Sequence, residues 1–240
     1  MPTLTETVRE IALNQPSSIR VFEQFGIDYC CGGRKPLAVA CTEQNIETGS
    51  LLAALEAAAE KPDAGTKDWA SASLESLVEH ITSTHHEYVK RELPRLDTLA
   101  KKVVARHGST HAEVAEIQAA LATLDSELTQ HLAKEETVLF PYIAKLERAQ
   151  ANGDSRPHGC FGTVANPIAM MTQEHDAAGT LLAEIKQLSS GFTPPQDACT
   201  TFHAFYDGLK EFEQDLHQHI HLENNILFPR AIEMEASEAG

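Results

Sequence analysis

Hydrophobic residues recur at three- and four-residue intervals along most of the chain, the spacing that places them on one face of an α-helix. Alternation of polar and apolar residues, which would indicate β-strands, is essentially absent. Short polar breaks such as Gly108-Ser109-Thr110 join the longest helical segments, and helices with short connections pack as antiparallel neighbours in a four-helix bundle. We predict these four helices at about residues 73–106, 110–149, 166–190 and 195–236.

The first 60 residues have a different pattern of short helical segments and turns. Gly26 can end one short helix, and Leu51–Glu60 has strong helix propensity. The stretch KPDAGTKDWA that follows is typical of a linker. The sequence therefore predicts an all-α protein with a small helical domain at 1–60, a linker at 61–70 and an antiparallel four-helix bundle at 71–236.

An internal repeat links the second and fourth predicted helices. The segment HLAKEETVLFP at 131–141 matches HIHLENNILFP at 219–229, with an offset of 88 residues. The histidine, the glutamate four residues later and the Leu-Phe-Pro eight residues later coincide, which is typical of two related helical hairpins. Pro141 and Pro229 lack an N–H, so each is expected to free a backbone carbonyl and bend its helix.

The repeated residues have metal-binding chemistry. Residues four apart lie on one face of a helix, so His131 points the same way as Glu135, and His219 the same way as Glu223. The other two helices each carry one histidine in register, and the intervals between the four histidines are 45, 44 and 44 residues. Four imidazoles and two carboxylates then converge in the core, a set that suits iron, manganese or zinc. The two additional histidines are His86 and His175.

The alternative is that these histidines are structural. A lone interior histidine is more often a hydrogen-bonded core residue than a ligand, but two repeated pairs with two histidines in register are hard to explain this way. His85 would face about 100° away from His86, and His107, near a helix end, is a weaker candidate ligand. We interpret the remaining histidines as structural, solvated or supporting residues: His80, His111, His158, His203, His217 and His221.

Composition narrows the classes of partner. Lys and Arg number 19 against 35 Asp and Glu, a net charge of −16, and such a chain repels phosphate backbones and anionic lipids. We therefore expect no nucleic-acid or membrane partner. The sequence has no signal-peptide pattern, and its five cysteines do not suggest a secreted disulfide framework. These features predict a soluble, cytoplasmic protein.

With these motifs the chain resembles the hemerythrin-like family, and within it the repair-of-iron-centres proteins. The resemblance rests on the signature DYCCGG at 28–33, on Glu174-His175-Asp176 and on 219–229, and it covers nearly the whole chain. It implies a hemerythrin-like bundle and a protein that restores iron–sulfur clusters damaged by nitrosative or oxidative stress, by donating iron. The implied partners are damaged iron–sulfur proteins, with nitric oxide or oxygen as small ligands, and a homodimer is left open.

The resemblance also implies a cofactor of two non-haem iron ions. Glu135 and Glu223 would bridge the two ions, together with an oxo or hydroxo bridge. Oxygen-carrying hemerythrins have a further histidine one turn from the ligand on helix three, where this chain has Met171 and Gly179. The missing nitrogen ligand argues for reactivity or iron release over oxygen storage. The ligands implied by position are His86, His131, Glu135, His175, His219 and Glu223.

Adjacent Cys30 and Cys31 add soft thiolate ligands next to two glycines. From the residues alone, iron transfer or reaction with nitric oxide is as well supported as an ordinary pair of turn thiols, and the resemblance favours the functional interpretation. Whether the protein is an enzyme stays undecided. An iron donor is the leading hypothesis; the alternatives are a di-iron enzyme that reacts with nitric oxide or peroxide, and an oxygen or iron sensor.

Overall fold

The computed structural model describes residues 2–60 and 68–237. Helices account for most of these residues, and the described ranges contain no β-strand beyond an isolated bridge between Thr7 and Pro36. The prediction of an all-α protein is confirmed. Residues 61–67 of the predicted linker lie outside the described ranges. None of the helices in the described part of the chain has the length and apolar character of a membrane span.

Four short helices form the N-terminal region: α1 (Val8–Asn14), α2 (Ser18–Phe25), α3 (Leu37–Glu43) and α4 (Thr48–Ala59). Thr7 begins α1 with a reciprocal cap, because its hydroxyl accepts from the N–H of Glu10 and the Glu10 carboxylate accepts from the N–H of Thr7. Gly26 ends α2 in the left-handed conformation, with φ 70°, as predicted for this glycine.

Four long helical rods form the bundle. Rod A contains α5 (Leu74–His80), the π-helical segment π1 (Ile81–His86) and α6 (Glu87–His107). Rod B contains α7 (Glu113–Lys134), π2 (Glu135–Leu139) and α8 (Phe140–Asn152). Rod C is α9 (Ala165–Leu188), and rod D contains α10 (Thr200–His221), π3 (Leu222–Leu227) and α11 (Phe228–Ser237). Rod A packs against B and D, and B packs against C, so the four-helix bundle is confirmed.

The three π-helical segments were not predicted, and each contains a candidate ligand. His86 ends π1, Glu135 begins π2, and Glu223 is the second residue of π3. A π turn widens the helix locally and is frequent at functional sites. Rod C, which supplies a single histidine to the candidate set, is α-helical throughout.

Rod D contacts the N-terminal region at a backbone carbonyl that Pro229 leaves free. Pro229 has no N–H for the carbonyl of Asn225 four residues earlier, and the guanidinium of Arg9 on α1 donates to that carbonyl at 2.9 Å. The side-chain amide of Asn225 donates to the carbonyl of Tyr29 at 2.9 Å, and the Tyr29 ring lies edge-on to His221. These contacts fix the N-terminal region against the part of rod D that contains π3.

Two separate apolar clusters lie along the bundle. One includes the part of rod A from Val89 to Val103, and the other includes Leu74, Leu77 and Ile81 on the same rod. On rod C the clusters are separated by residues 172–177. Rods A and C therefore each have a gap between the clusters, and a candidate histidine lies in each gap.

Candidate metal centre

The six residues predicted from the sequence meet between the two apolar clusters: His86, His131, Glu135, His175, His219 and Glu223. Their ligand atoms form two groups, and within each group the atoms lie within 4.8 Å of one another. One group contains the A–D pair, His86 and His219, and the other contains the B–C pair, His131 and His175. Both groups contain the same two glutamates.

Each glutamate contacts at least one histidine of each pair. Glu223 Oε1 lies 2.9 Å from Nε2 of His219, and its Oε2 lies 3.0 Å from Nε2 of His175. Glu135 Oε2 lies 3.4 Å from Nε2 of the histidines on rods A and B. Each carboxylate is therefore placed where it can serve both groups.

The chemistry of the buried donor atoms fits a cation. No member of the set is more than 2% exposed. The two Nε2 atoms lie 3.2 Å apart in the A–D pair and 3.1 Å apart in the B–C pair. Among the described residues, neither carboxylate oxygen of Glu135 has a hydrogen-bond donor. A buried carboxylate without donors is costly, and a metal ion would satisfy its oxygens together with the facing imidazole lone pairs.

Three of the four histidines are oriented by an acceptor on the next rod. The Nδ1 contacts are His86 to Glu136 Oε1 at 2.8 Å, His131 to Glu174 Oε2 at 2.9 Å, and His175 to Asn224 Oδ1 at 2.9 Å. When Nδ1–H of the neutral imidazole donates outwards, Nε2 keeps a lone pair directed at the centre. Sequence reasoning missed these acceptors, although each one is adjacent in sequence to a candidate ligand on its own rod.

His219 is the exception among the four. Its Nδ1 has no hydrogen-bond partner within the described ranges. Its ring instead stacks on that of His85, with centroids 5.6 Å apart, and His85 contacts Asp215 through Nδ1 at 3.0 Å. His85 is buried but belongs to neither ligand group, in line with its expected orientation away from the centre.

The two glutamates have opposite pKa shifts. Burial and the charge of Glu223 raise the pKa of Glu135 to about 7. Burial also opposes the charge on Glu223, but His219 and His175 outweigh that effect and hold its pKa well below the usual range. Burial lowers the pKa of His175, but hydrogen bonding to Glu223 outweighs burial and raises it to about 9. Without a cation, imidazolium groups would balance the buried carboxylate charge.

A cavity of ≈ 340 Å³ reaches one of the two pairs. Both histidines of the B–C pair line it, together with Glu174. Exposed residues of rods B and C, such as Gln130 and Gln173, also line the cavity, so it opens to the surface. Neither histidine of the A–D pair lines this cavity.

Cys30 and Cys31 lie in a turn wrapped around one carboxylate. Asp28 accepts hydrogen bonds from the backbone N–H of Cys30 at 3.0 Å, of Cys31 at 2.9 Å and of Gly32 at 2.8 Å. Both thiols are free, with Sγ atoms 3.7 Å apart, and Cys31 is the more exposed. The contact with Cys31 and burial raise the pKa of Cys30. Gly33 packs so tightly that a Cβ would lie 2.7 Å from the carbonyl oxygen of Tyr29.

This turn packs against rod C beside the centre. A Cβ on Gly179 would lie 4.0 Å from Sγ of Cys31, and the amide of Asn224 donates to the carbonyl of Cys30 at 3.4 Å. Gly179 is one helical turn from His175, about 6 Å along the axis. The position on rod C that lacks a further histidine is therefore next to a thiol.

The structure does not bring His107 to the centre. This weaker candidate ends α6, about 30 Å along rod A from His86 at the α-helical rise. Its Nε2 lies 3.2 Å from Sγ of Cys199 at the other end of the bundle.

Comparisons with known proteins match both parts of the chain. Residues 80–231 match the hemerythrin HHE cation binding domain, and residues 4–59 match a domain of unknown function, DUF542. The chain is 38% identical over 230 residues to the iron-sulfur cluster repair protein YtfE of Yersinia pseudotuberculosis serotype IB (strain PB1/+), covering 96% of this chain and 98% of the relative. The protein of the same name from Yersinia pestis (strain Pestoides F) has the same identity and coverage.

Proposed function

The chain belongs to the hemerythrin HHE cation-binding family, and from this premise we propose that it repairs iron–sulfur clusters and holds two non-haem iron ions. One ion is held by the A–D pair and the other by the B–C pair, with Glu135 and Glu223 as bridges. The observation that carries this proposal is the sharing of both buried carboxylates by the two ligand groups. Imidazole with carboxylate in a helical bundle suits iron, which supplies redox chemistry and coordination positions for small ligands.

The relatives are named iron-sulfur cluster repair proteins. We extend repair to this chain because the similarity covers 96% of the chain. We infer that iron leaves from the B–C pair. The cavity reaches that pair, Met171 and Gly179 supply no further nitrogen ligand, and Cys31 lies beside Gly179. A thiolate is a soft ligand that can accept iron, and the Gly179 position beside Cys31 is one helical turn from His175. The partners on this proposal are damaged iron–sulfur proteins.

The same cavity supports a second candidate function. Nitric oxide, oxygen or peroxide could reach the B–C pair through it, and the protein would then react with them as an enzyme. Sustained turnover with an electron donor would favour this candidate, and a single turnover would favour the donor. In either case we propose two domains, at 1–60 and 71–236, with the thiols of the first facing the centre of the second.

The di-iron proposal is tested by metal content. Glu135→Leu combined with Glu223→Leu removes both shared carboxylates and is expected to lower iron from two ions per chain to near zero, because neither pair keeps a carboxylate ligand. Iron is measured by mass spectrometry and folding by circular dichroism. Iron that stays near two per chain in a folded variant would show that the bridging assignment is wrong.

The donor proposal is tested by transfer. Iron-loaded protein is incubated with an apo iron–sulfur enzyme, sulfide and reductant, and recovery of enzyme activity is compared with that from the same amount of free iron. We expect faster recovery with the protein, and slower transfer from Cys31→Ser at unchanged iron content. Cys160→Ser, which changes an exposed thiol elsewhere, is the matched control. Recovery no faster than with free iron would contradict the donor proposal, and it would not contradict the proposed metal site.

A further inference from the structure

A second cluster of ligand-type side chains lies at the end of the bundle remote from the candidate metal centre. His107 ends α6 and His111 lies in the turn that follows it, whereas Asp197 and Cys199 lie in the connection that leads into α10. One ligand atom each from His107, His111 and Asp197 lie within 4.8 Å of one another. The proposed repair function uses none of these side chains.

The contacts within this cluster join nitrogen to oxygen and nitrogen to sulfur. Nε2 of His111 lies 3.0 and 3.2 Å from the two carboxylate oxygens of Asp197. Nε2 of His107 lies 3.2 Å from Sγ of Cys199. Ligands that each lie about 2.0–2.3 Å from one tetrahedral ion are about 3.3–3.8 Å apart. Cys199 is not a member of the group of three ligand atoms, so its Sγ, which contacts His107, would have to turn towards His111 and Asp197 to complete a site.

Outer contacts prepare these ligand atoms. Oε1 of Glu113 lies 3.2 Å from Nδ1 of His111; when it accepts the Nδ1–H, the Nε2 lone pair faces Asp197. His107 is buried, and its ring packs on Phe202 with centroids 5.2 Å apart. The contact with His107 and the backbone N–H groups that begin α10 lower the pKa of Cys199 to about 7, which favours the thiolate form that metals bind.

We propose that His107, His111, Asp197 and Cys199 bind one divalent cation of intermediate softness, of the Zn²⁺ class. Two imidazoles, a carboxylate and a thiolate make a four-ligand set of the kind that zinc adopts, and the sulfur disfavours magnesium and calcium. The ion ties the turn between rods A and B to the connection between rods C and D. This proposal goes beyond the repair of iron–sulfur clusters and does not depend on that function.

The test measures zinc and iron together in the full-length, iron-loaded protein after dialysis against micromolar ZnCl2. We expect about one zinc per chain with no loss of iron. Asp197→Asn and Cys199→Ser are each expected to weaken zinc binding at least about tenfold. His203→Asn and Cys160→Ser alter exposed side chains of the same types outside the cluster and are expected to bind zinc like the wild type.

Cobalt provides a readout of the sulfur ligand. Thiolate-to-cobalt absorption is expected when Co²⁺ is added to the wild type and to Cys160→Ser, and it is expected to be absent in Cys199→Ser. The same absorption should persist in the Glu135→Leu and Glu223→Leu double variant, because the cluster is separate from the iron ligands. If zinc only replaces iron, or binds equally to the wild type, Asp197→Asn and Cys199→Ser, the cluster is an ion pair with a neighbouring thiol and the proposal is wrong.

Discussion

The A–D and B–C histidine pairs share both glutamates but have different surroundings. The B–C pair lines a cavity that opens to the surface and lies one turn from the Gly179 position beside Cys31. One histidine of each pair stacks on a phenylalanine, His86 on Phe140 at 5.4 Å and His175 on Phe228 at 6.0 Å, and the A–D pair has in addition His219 stacked on His85 at 5.6 Å. The two pairs therefore offer the same ligand types with unequal access.

Support from outside the centre is nearly the same for the two pairs. A histidine, a glutamate of the next rod and a lysine are in contact on each side, as His86–Glu136–Lys90 and as His131–Glu174–Lys134. The second histidines differ, because Nδ1 of His175 contacts Asn224 and Nδ1 of His219 has no hydrogen-bond partner among the described residues. Access to the surface is the difference between the pairs that bears on iron release. On our proposal the A–D pair retains its iron and the B–C pair releases it.

Removing one histidine from either pair gives the largest expected effect. His86→Ala and His175→Ala should each lower iron from two ions to about one per chain, because the pair that contains the substituted residue keeps only one of its two imidazoles. The iron left in His86→Ala lies at the B–C pair and should transfer to a ferrous chelator at least about tenfold faster than the iron left in His175→Ala, which corresponds to ~1.4 kcal/mol in the activation barrier. Iron content and chelation kinetics are the measurements.

His85→Gln is the matched control for this comparison, because His85 is buried beside the A–D pair without belonging to either ligand group. It should keep two irons. Equal release rates from His86→Ala and His175→Ala would show that the cavity does not distinguish the two pairs.

In the metal-free protein, the two shared glutamates should have opposite effects on the free energy of unfolding. The pKa of Glu135 is raised in the fold from 4.5 to about 7, so the unfolded chain loses this proton first and stability falls as pH rises from about 4.5 to 7. Glu135→Gln should therefore raise the free energy of unfolding above pH 7, by up to ~3 kcal/mol. The depressed pKa of Glu223 has the opposite sign, so Glu223→Gln should lower stability above pH 4.5.

Denaturant unfolding of the metal-free variants at about pH 5 and pH 8 measures this difference. The gain in Glu135→Gln should be smaller at the lower pH, where the wild-type carboxyl is protonated. A loss of stability in Glu135→Gln at the higher pH would contradict the pKa assigned to this carboxyl.

Substitution of Glu136 or Glu174, the carboxylates that contact Nδ1 of ligand histidines, is expected to have the next largest effect. Glu174→Gln leaves His131 without a charged acceptor and should weaken iron binding at the B–C pair about ten- to a hundredfold. Glu136→Gln should do the same at the A–D pair through His86. Metal titration of each variant, followed by chelation kinetics, shows which iron is affected. A variant that weakens both irons equally would argue that the pairs are not supported independently.

The helices and the candidate residues could be selected from the sequence because their signals are local. Apolar residues repeat at helical spacing, and a His-x-x-x-Glu pair marks one helix face regardless of what packs against it. The offset of 88 residues between the two copies then indicates which faces meet. The resemblance to a family added iron to these patterns, which by themselves also allow manganese or zinc.

Contacts between rods could not be predicted in the same way. Glu136 and Glu174 occur in a sequence with 35 acidic residues, and nothing in their local pattern shows that each meets a histidine on another rod. The π-helical segments have no signal in helix propensity, which describes the α-helix alone. Nothing in the local pattern around Cys199 indicates a ligand, and its contact with His107 joins residues 92 positions apart.

The lysines of the two supporting contacts give the smallest expected effect and the sharpest test of access. Lys134 lines the cavity, whereas Lys90 pairs with Glu136 away from it. Both lysine side chains are more than 40% exposed, so solvent screens their ion pairs, and each pair contributes ~1 kcal/mol at most to the free energy of unfolding. Lys134→Met removes a positive charge at the cavity and should slow iron release to an anionic chelator about two- to fivefold. The difference should shrink as salt screens the charge, and Lys90→Met should match the wild type. An equal effect of the two substitutions would mean that the chelator does not approach through this cavity, and the unequal access of the two histidine pairs would then need another cause.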